Sequence, residues 1–277
     1  MKRKTISKNL KYKGIGLHKG EDIILRLKPA PVNTGIVFYR KDLKDGENKI
    51  VLDIDNVFDL TRGTNLINEY KASVYTIEHF LSSLYVFGIT DIIVEIDGNE
   101  LPIIDGSSKK FIELIKENIK EYKEEVEELI IKKPIYVTHG DKHVVGLPYD
   151  GYKITYSVNY NHSYLKSQLL EIEVNVDNYV NEISGARTFC FDYEIEYLKA
   201  NNLALGGSLD NAIVIKKDGI LNPGGLRYQD EFVRHKILDL IGDLKVLNRP
   251  IKGHIIAVKA GHAINIDFAR ELVKNFL

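Results

Sequence analysis

The segment FVRHKILDLIGDLKVLNRPIKGHIIAVKA, residues 232–260, reads as a helix, a breaker and a β-rich strand, and TIEHFLSSLYVFGITDIIVEI, residues 76–96, reads in the same order. Each copy carries a histidine in the first turns of its helix. Two copies of one α/β unit, packed helix to helix, predict a duplicated chain in which His79 and His235 come close together. In the second copy Val233, Ile237, Leu240, Ile241 and Leu244 recur at helical spacing and form a buried stripe. Asp230 is the expected N-cap, and the helix is expected to run on to Leu247. Beside the stripe His235, Asp239 and Asp243 stand four residues apart, which on a helix of 3.6 residues per turn stacks them on one face. An imidazole and a carboxylate so placed can share one metal ion.

That spacing is weak evidence alone. Eight His and 39 acidic residues among 277 positions give about one His-x-x-x-acid pair by chance, and His18 with Asp22 is a second instance. His139 and His143 flank Gly140-Asp141 between two β-rich runs, so they read as the two sides of a hairpin and not as one helical face.

Outward from the repeat, the chain divides near residue 127, giving an α+β protein of two similar domains, 1–127 and 128–277. Each is expected to be a sheet packed with a helix pair. The first half alternates as strands (EDIILRLKP, GIVFYR, KIVLDIDNVF), then a helix over 73–87, strand TDIIVEID, and a charged helix over 107–128 with KENIKEYKEEVEEL as its solvated face. The second half repeats that order: strands LIIKKPIYVTH, HVVGLPY, YKITYSVNY and LLEIEVNV, a helix over 192–201, strand NAIVI, the helix over 230–247, strand GHIIAVKA and a short final helix.

Composition narrows the function classes. A net charge of −1 gives no electrostatic footprint for nucleic acid, and 44% hydrophobic residues is ordinary for a globular chain. One cysteine, Cys190, rules out a disulfide framework or a Cys-rich zinc site and fits a reducing compartment, so any metal must be held by His and carboxylate. No apolar run follows the basic N-terminus and no segment is long and apolar enough to span a bilayer, which sets cytoplasmic localisation without membrane insertion as the expectation.

Glu78 directly precedes His79, on the flank of a helix whose apolar face is Val74, Ile77, Leu81 and Leu84. A carboxylate beside a metal ligand is what a metal-dependent hydrolase needs to take a proton from water, and two His with one carboxylate leave a fourth position open. The alternative is an interior His79 bonded to a carbonyl, with Glu78 a surface charge.

Six stretches are more specific: GIGLHKG, TIEHFLSSL, ELPIIDGSSKKF, ARTFCFDYEIEYLKANNLALGGSLDNAIV, GLRYQDEFVRHKILDLIGDL and KAGHAIN, spanning Gly14 to Asn265. In this combination the chain resembles the zinc-dependent UDP-3-O-acyl-N-acetylglucosamine deacetylases of lipid A biosynthesis. The resemblance implies that the site lies between the domains and that a UDP-linked, 3-O-(3-hydroxyacyl)ated N-acetylglucosamine loses acetate to give the free amine. His79, His235 and Asp239 match the zinc ligands, which would also accept Fe2+. Glu78 matches the general base and His262 a protonated imidazole that stabilises the oxyanion or protonates the leaving amine. Asp243 matches the acid that charges His262, and Thr188 a hydroxyl near the developing oxyanion.

For substrate contacts, Lys236 and Lys259 match lysines associated with the diphosphate, Phe189 an aromatic near the sugar, and Tyr160 an aromatic that stacks on uracil. A β-α-β insert at about 188–215 matches the acyl-chain channel, with Ile195, Leu198, Leu209, Ala212 and Val214 as walls; core packing would also account for them. His18 is expected at the rim, and Asp105-Gly106-Ser107 and Gly206-Gly207 as shape-holding turns. The chain ends soon after GHAIN, where relatives commonly carry a longer tail, and is expected to act as a monomer. The alternative function is a zinc amidohydrolase of another N-acetylated sugar.

Overall fold

The strands of the first half pair into a five-stranded sheet, and those of the second repeat its connectivity, in a computed structural model that describes residues 1–276. The first half contains β1 (Lys2–Ile6), β2 (Leu10–Ile15), β3 (Asp22–Pro29), β4 (Ile36–Arg40), β5 (Lys49–Val51), β6 (Val57–Phe58), β7 (Asn65–Ile67), β8 (Ser73–Val74), α1 (Glu78–Phe87), β9 (Ile92–Ile96), α2 (Lys109–Ile115) and β10 (Ile119–Glu125). The second contains β11 (Leu129–Ile130), β12 (Ile135–His139), β13 (Lys142–Leu147), β14 (Tyr152–Asn159), β15 (Ser167–Glu173), α3 (Val176–Asn178), β16 (Phe189–Phe191), α4 (Ile195–Ala200), β17 (Ile213–Lys216), β18 (Gly219–Ile220), α5 (Glu231–Leu244), β19 (Ile251–Val258) and α6 (His262–Phe276).

The duplication is visible in the strand order. The main sheets run β2-β3-β9-β4-β5 and β12-β13-β19-β14-β15, so in each the strand made last enters the middle. That strand is antiparallel to one neighbour, β3 or β13, and parallel to the other, β4 or β14. A parallel neighbour requires a crossover, which α1 and α5 supply. The two crossover helices pack on each other, with α2 against α1 and α6 against α5 completing a helix pair in each half. Phe80, Leu81 and Leu84 of α1 and Val233, Ile237, Leu240, Ile241 and Leu244 of α5 have no exposed surface and belong to one core that joins the halves. Each such side chain contributes about 1.5–3 kcal/mol by burial. At the crossing, a Cβ on Gly242 would lie 2.1 Å from the Glu78 carbonyl oxygen. Only glycine lets the backbones approach this closely, which outweighs its cost of about 1 kcal/mol inside a helix.

Four expectations are corrected. The charged run is a short helix, α2, followed by β10, which pairs antiparallel with β1. Lys2 and Lys4 stand opposite Glu125 and Glu121, and a bulge between them leaves the half-buried Ile119 and Tyr122 three residues apart, a spacing that imitates a helix. The helix expected from residue 73 begins at Glu78, because Ser73 and Val74 pair with β7 and Thr76 takes a positive φ of 56°. Asp230 occupies the N-cap position of α5, but its carboxylate accepts from Arg234 Nε at 2.5 Å and caps no backbone amide. The final helix is not short: α6 has 15 residues against 14 for α5. The hairpin at Gly140 is present, with Thr138 opposite His143 and His139 opposite Lys142.

Candidate active site

Packing α1 on α5 brings the two histidines together. Their rings meet edge to face with centroids 5.0 Å apart, and Asp239 lies between them, its Oδ1 3.6 Å from His79 Nε2 and 3.4 Å from His235 Nε2. One donor atom from each of the three falls within 4.8 Å of the others. His235 Nδ1 is 3.1 Å from the Ala186 carbonyl oxygen, which can only accept, so Nδ1 carries the proton and Nε2 keeps its lone pair. Burial holds the His235 imidazole neutral by lowering its pKa to about 3. Burial would raise the Asp239 carboxyl, but the charge of Lys236 bonded to it, with that of His262, outweighs burial and holds the group ionised. Lys236 Nζ occupies Oδ2 at 2.7 Å, whereas Oδ1 is buried without any hydrogen-bond partner. A buried carboxylate oxygen left unpaired is costly. Two imidazole nitrogens and an unpaired carboxylate oxygen, converging and buried, fit a divalent cation.

Glu78 and His262 flank this group. Glu78 is 2% exposed at the first position of α1, and the Thr64 amide donates to its Oε2 at 2.9 Å. Burial raises the Glu78 carboxyl above the usual range. His262 opens α6, and its Nδ1 faces the Asp243 oxygens at 3.1 and 3.0 Å. Burial works against a charged imidazole, but Asp243 prevails and pushes His262 up to about 9.

Asp243 is fully buried and held on all sides: the Thr64 hydroxyl donates to Oδ1 at 2.5 Å and Asn265 Nδ2 to Oδ2 at 2.8 Å. Thr64 therefore grips Glu78 through its amide and Asp243 through its hydroxyl. The sequence reading missed both partners. Asn265 had a signal, since it lies three residues after His262 in GHAIN and shares its face of α6; Thr64 had none, because tertiary approach creates its role. Also missed was the buried pair Arg187–Glu231, with Nε to Oε1 at 2.8 Å, which ties the segment before Thr188 to the first turn of α5. Three non-glycine residues with positive φ, Thr76, Ile104 and Lys259, precede Glu78, Asp105 and His262. Two are β-branched, so the strain is real and the fold imposes it.

Thr188 sits where two hydrogen bonds fix its backbone: its amide donates to Gly106 O and its carbonyl accepts from Ile213 N, both at 2.8 Å. The Asp105-Gly106-Ser107 turn is its support, for a Cβ on Gly106 would strike Asn211 O at 2.1 Å. From Thr188 a cavity of about 250 Å³ runs between the insert and the first half, lined by His18, Phe189, Ile195, Leu198, Leu209, Ala212 and Val214 among others. All five residues expected as channel walls face it. The insert itself is β16 and β17 in parallel, joined through α4, with β18 added at the edge.

Tyr160 and Lys259 share an open cavity of about 570 Å³ with Asn159, His162 and Lys166. Lys259 Nζ is paired with Asp141 at 2.7 Å, and Lys236 lies 5.6 Å from the centre of the Phe189 ring while bonded to Asp239. Both lysines are thus engaged by acids in this structure. Phe189 in turn packs edge-on against Tyr160 and Phe232. His18 Nδ1 accepts from Ala204 N at 3.4 Å, and Nε2 is buried without a partner, at the wall between the first half and the insert.

Comparison with known proteins identifies the family of the chain. The family described as UDP-3-O-acyl N-acetylglycosamine deacetylase (LpxC) matches residues 3–274. The UDP-3-O-acyl-N-acetylglucosamine deacetylase of Leptospira biflexa serovar Patoc is 46% identical over 271 residues, 97% of this chain and 88% of the relative. The proteins of that name from Thermodesulfovibrio yellowstonii and Idiomarina loihiensis are 43% identical over 274 residues and 44% over 276, covering 98% and 99% of this chain and 92% and 90% of theirs. Identity at this level runs through both halves and the insert, so the paired sheets, the two-histidine cluster and the channel are found together in one chain that belongs to the UDP-3-O-acyl N-acetylglycosamine deacetylase family.

Proposed function

We infer that the chain hydrolyses the acetamide of UDP-3-O-(3-hydroxyacyl)-N-acetylglucosamine, releasing acetate and the free amine, as a step of lipid A biosynthesis. The observation that carries this reading is the meeting of His79, His235 and the unpaired Asp239 oxygen between Glu78 and the His262–Asp243 pair. We assign His79, His235 and Asp239 as ligands of Zn2+, with Fe2+ an acceptable substitute for the same donors. A cation bound there polarises a carbonyl oxygen and acidifies water.

The residues of the chain do the rest. Glu78, fixed through one oxygen by Thr64, takes the proton of the attacking water; its burial brings its pKa toward the working range of a general base. His262 binds Asp243 through Nδ1, so its Nε2–H is free to donate to the oxyanion and then to the departing nitrogen. The Thr188 hydroxyl adds a second donor. Tyr160 and Lys259 line the open cavity that suits a nucleotide diphosphate, with Phe189 and Lys236 between it and the ligands. Ile195, Leu198, Leu209, Ala212 and Val214 receive the acyl chain, and His18 stands at their rim. The site lies between domains 1–127 and 128–277 of one chain, which supports action as a monomer. Among the described residues no helix is long and apolar enough to cross a membrane, and the unpaired Cys190 fits the cytoplasm.

Acetate release from the acylated nucleotide sugar, measured with elemental analysis of the same preparation, tests the reading. Equal turnover of UDP-N-acetylglucosamine lacking the acyl chain would support instead an amidohydrolase of other N-acetylated sugars.

A further inference from the structure

Besides the Thr188–Gly106 hydrogen bond, the insert meets the first half along two seams of different strength. Near its C-terminal end the seam is backbone: Leu205 N and Gly206 N donate to His18 O at 3.1 Å and Leu17 O at 3.0 Å, and a Cβ on Gly206 would lie 2.2 Å from Gly16 O. At the other end it is a side-chain pair. Arg62 Nη2, from the loop between β6 and β7, donates to Glu194 Oε1 at 2.7 Å, while Glu194 Oε2 accepts from Phe191 N at 3.0 Å. Arg62 lines the cavity opposite Ile195, the residue after Glu194. Both charges bear on the Cys190 thiol, two residues beyond Thr188. Arg62 therefore sets a guanidinium in the cavity wall that Thr188 and Cys190 share, and Glu194, behind that wall, ties it to the start of α4 through Ile195. The side chains of the pair are 39% and 21% exposed, so it is screened by water and salt and can open without unfolding the insert.

We propose that the Arg62–Glu194 ion pair is a strap that narrows the acyl channel beside Cys190 and discriminates against longer acyl chains. The proposal rests on the reading of this cavity as the acyl site. With the strap closed, α4 is held against the loop that carries Arg62, and a chain leaving the Thr188 end passes the Arg62 side chain in the cavity wall. With it open, the wall formed by Ile195 and Leu198 loses its direct tie to the Arg62 loop, and the insert stays anchored at the Leu205–Gly206 seam and at the Thr188–Gly106 hydrogen bond. Arg62 and Glu194 act as positioning residues.

The test is kcat/KM on UDP-linked substrates with short and long 3-O-hydroxyacyl chains, for the wild type, Arg62→Gln, Glu194→Gln and the charge-reversed pair Arg62→Glu with Glu194→Arg, in low and high salt. Each single variant is expected to raise the long-to-short ratio by about threefold, the size of change an exposed ion pair can carry. The reversed pair is expected to restore it. Salt should raise the ratio in the wild type and leave the single variants unmoved, a response that simple loosening of structure does not give. Single variants with wild-type metal content, melting temperature and chain-length ratio would overturn the strap, as would failure of the reversed pair to restore discrimination. A wild type that treats acylated and unacylated sugars alike would instead remove the acyl-channel reading beneath it.

Discussion

α1 and α5 hold the same place in their two halves, yet they carry different chemistry. Counting four and eight residues on from His235 gives Asp239 and Asp243; the same steps from His79 give Ser83 and Phe87. Ser83 is buried and spends its hydroxyl on the Phe80 carbonyl, and Phe87 packs in the core. Conversely, α1 opens with Glu78, where α5 has Arg234 before its histidine, turned to Asp230 and Glu182. Duplication supplied two facing helices with one imidazole each. Departure from symmetry placed Asp239 and Asp243 on α5 alone and Glu78 on α1 alone.

Experiments can break that asymmetry one element at a time. His235→Ala should have the largest effect, abolishing both turnover and bound metal; a full complement of tightly held metal in the variant would refute the shared ligand set. Glu78→Ala should keep its metal and lose about 10²–10⁴-fold in kcat, the usual weight of a general base, so wild-type rates would remove Glu78 from the mechanism.

Asp243→Asn should act through pH. His262 is raised to about 9, so its cation is present below that value and is lost as pH rises through it. The alkaline limb of kcat/KM is expected near 9 in the wild type and at lower pH in the variant, where the stabilising charge is gone; an unmoved limb would separate His262 from Asp243. Gly242→Ala should be the mildest, costing about 1–3 kcal/mol of stability as the helices part to admit a methyl group. Denaturant titration measures it, and an unchanged midpoint would show that the crossing has room to spare.

What could be read from the chain was what repeats locally. The α5 stripe, the His235-Asp239-Asp243 row and the hairpin at Gly140 follow from periods of 3.6 and 2, and the repeated order of elements is matched by the identical strand order of the two sheets. What could not be read was made by pairing at a distance. β10 carries a helix-like spacing because its partner β1, more than a hundred residues earlier, imposes a bulge. Thr64 sits in no motif, and only the approach of α1 to α5 turns it into the clamp of two carboxylates. Residues 176–183, to which the sequence reading gave no helix and whose first residue it placed at the end of strand LLEIEVNV, form a helical segment capped by Asn175, whose Tyr179 hydroxyl then reaches Ser82 of α1. Nothing before Tyr179 predicts that contact.

The central position of β19 also has a bearing on how the protein is made. The second sheet receives its middle strand only after Val258 has been synthesised, whereas the first is complete in strands by Ile96. At about 5–20 residues per second on the ribosome, the nascent first half waits roughly 10–30 s with Glu78 and His79 formed up on α1 and no partner helix to cover them. The group of His79, His235 and Asp239 therefore cannot assemble until α5 has been made, and a chaperone or protease that acts during that interval meets half of it.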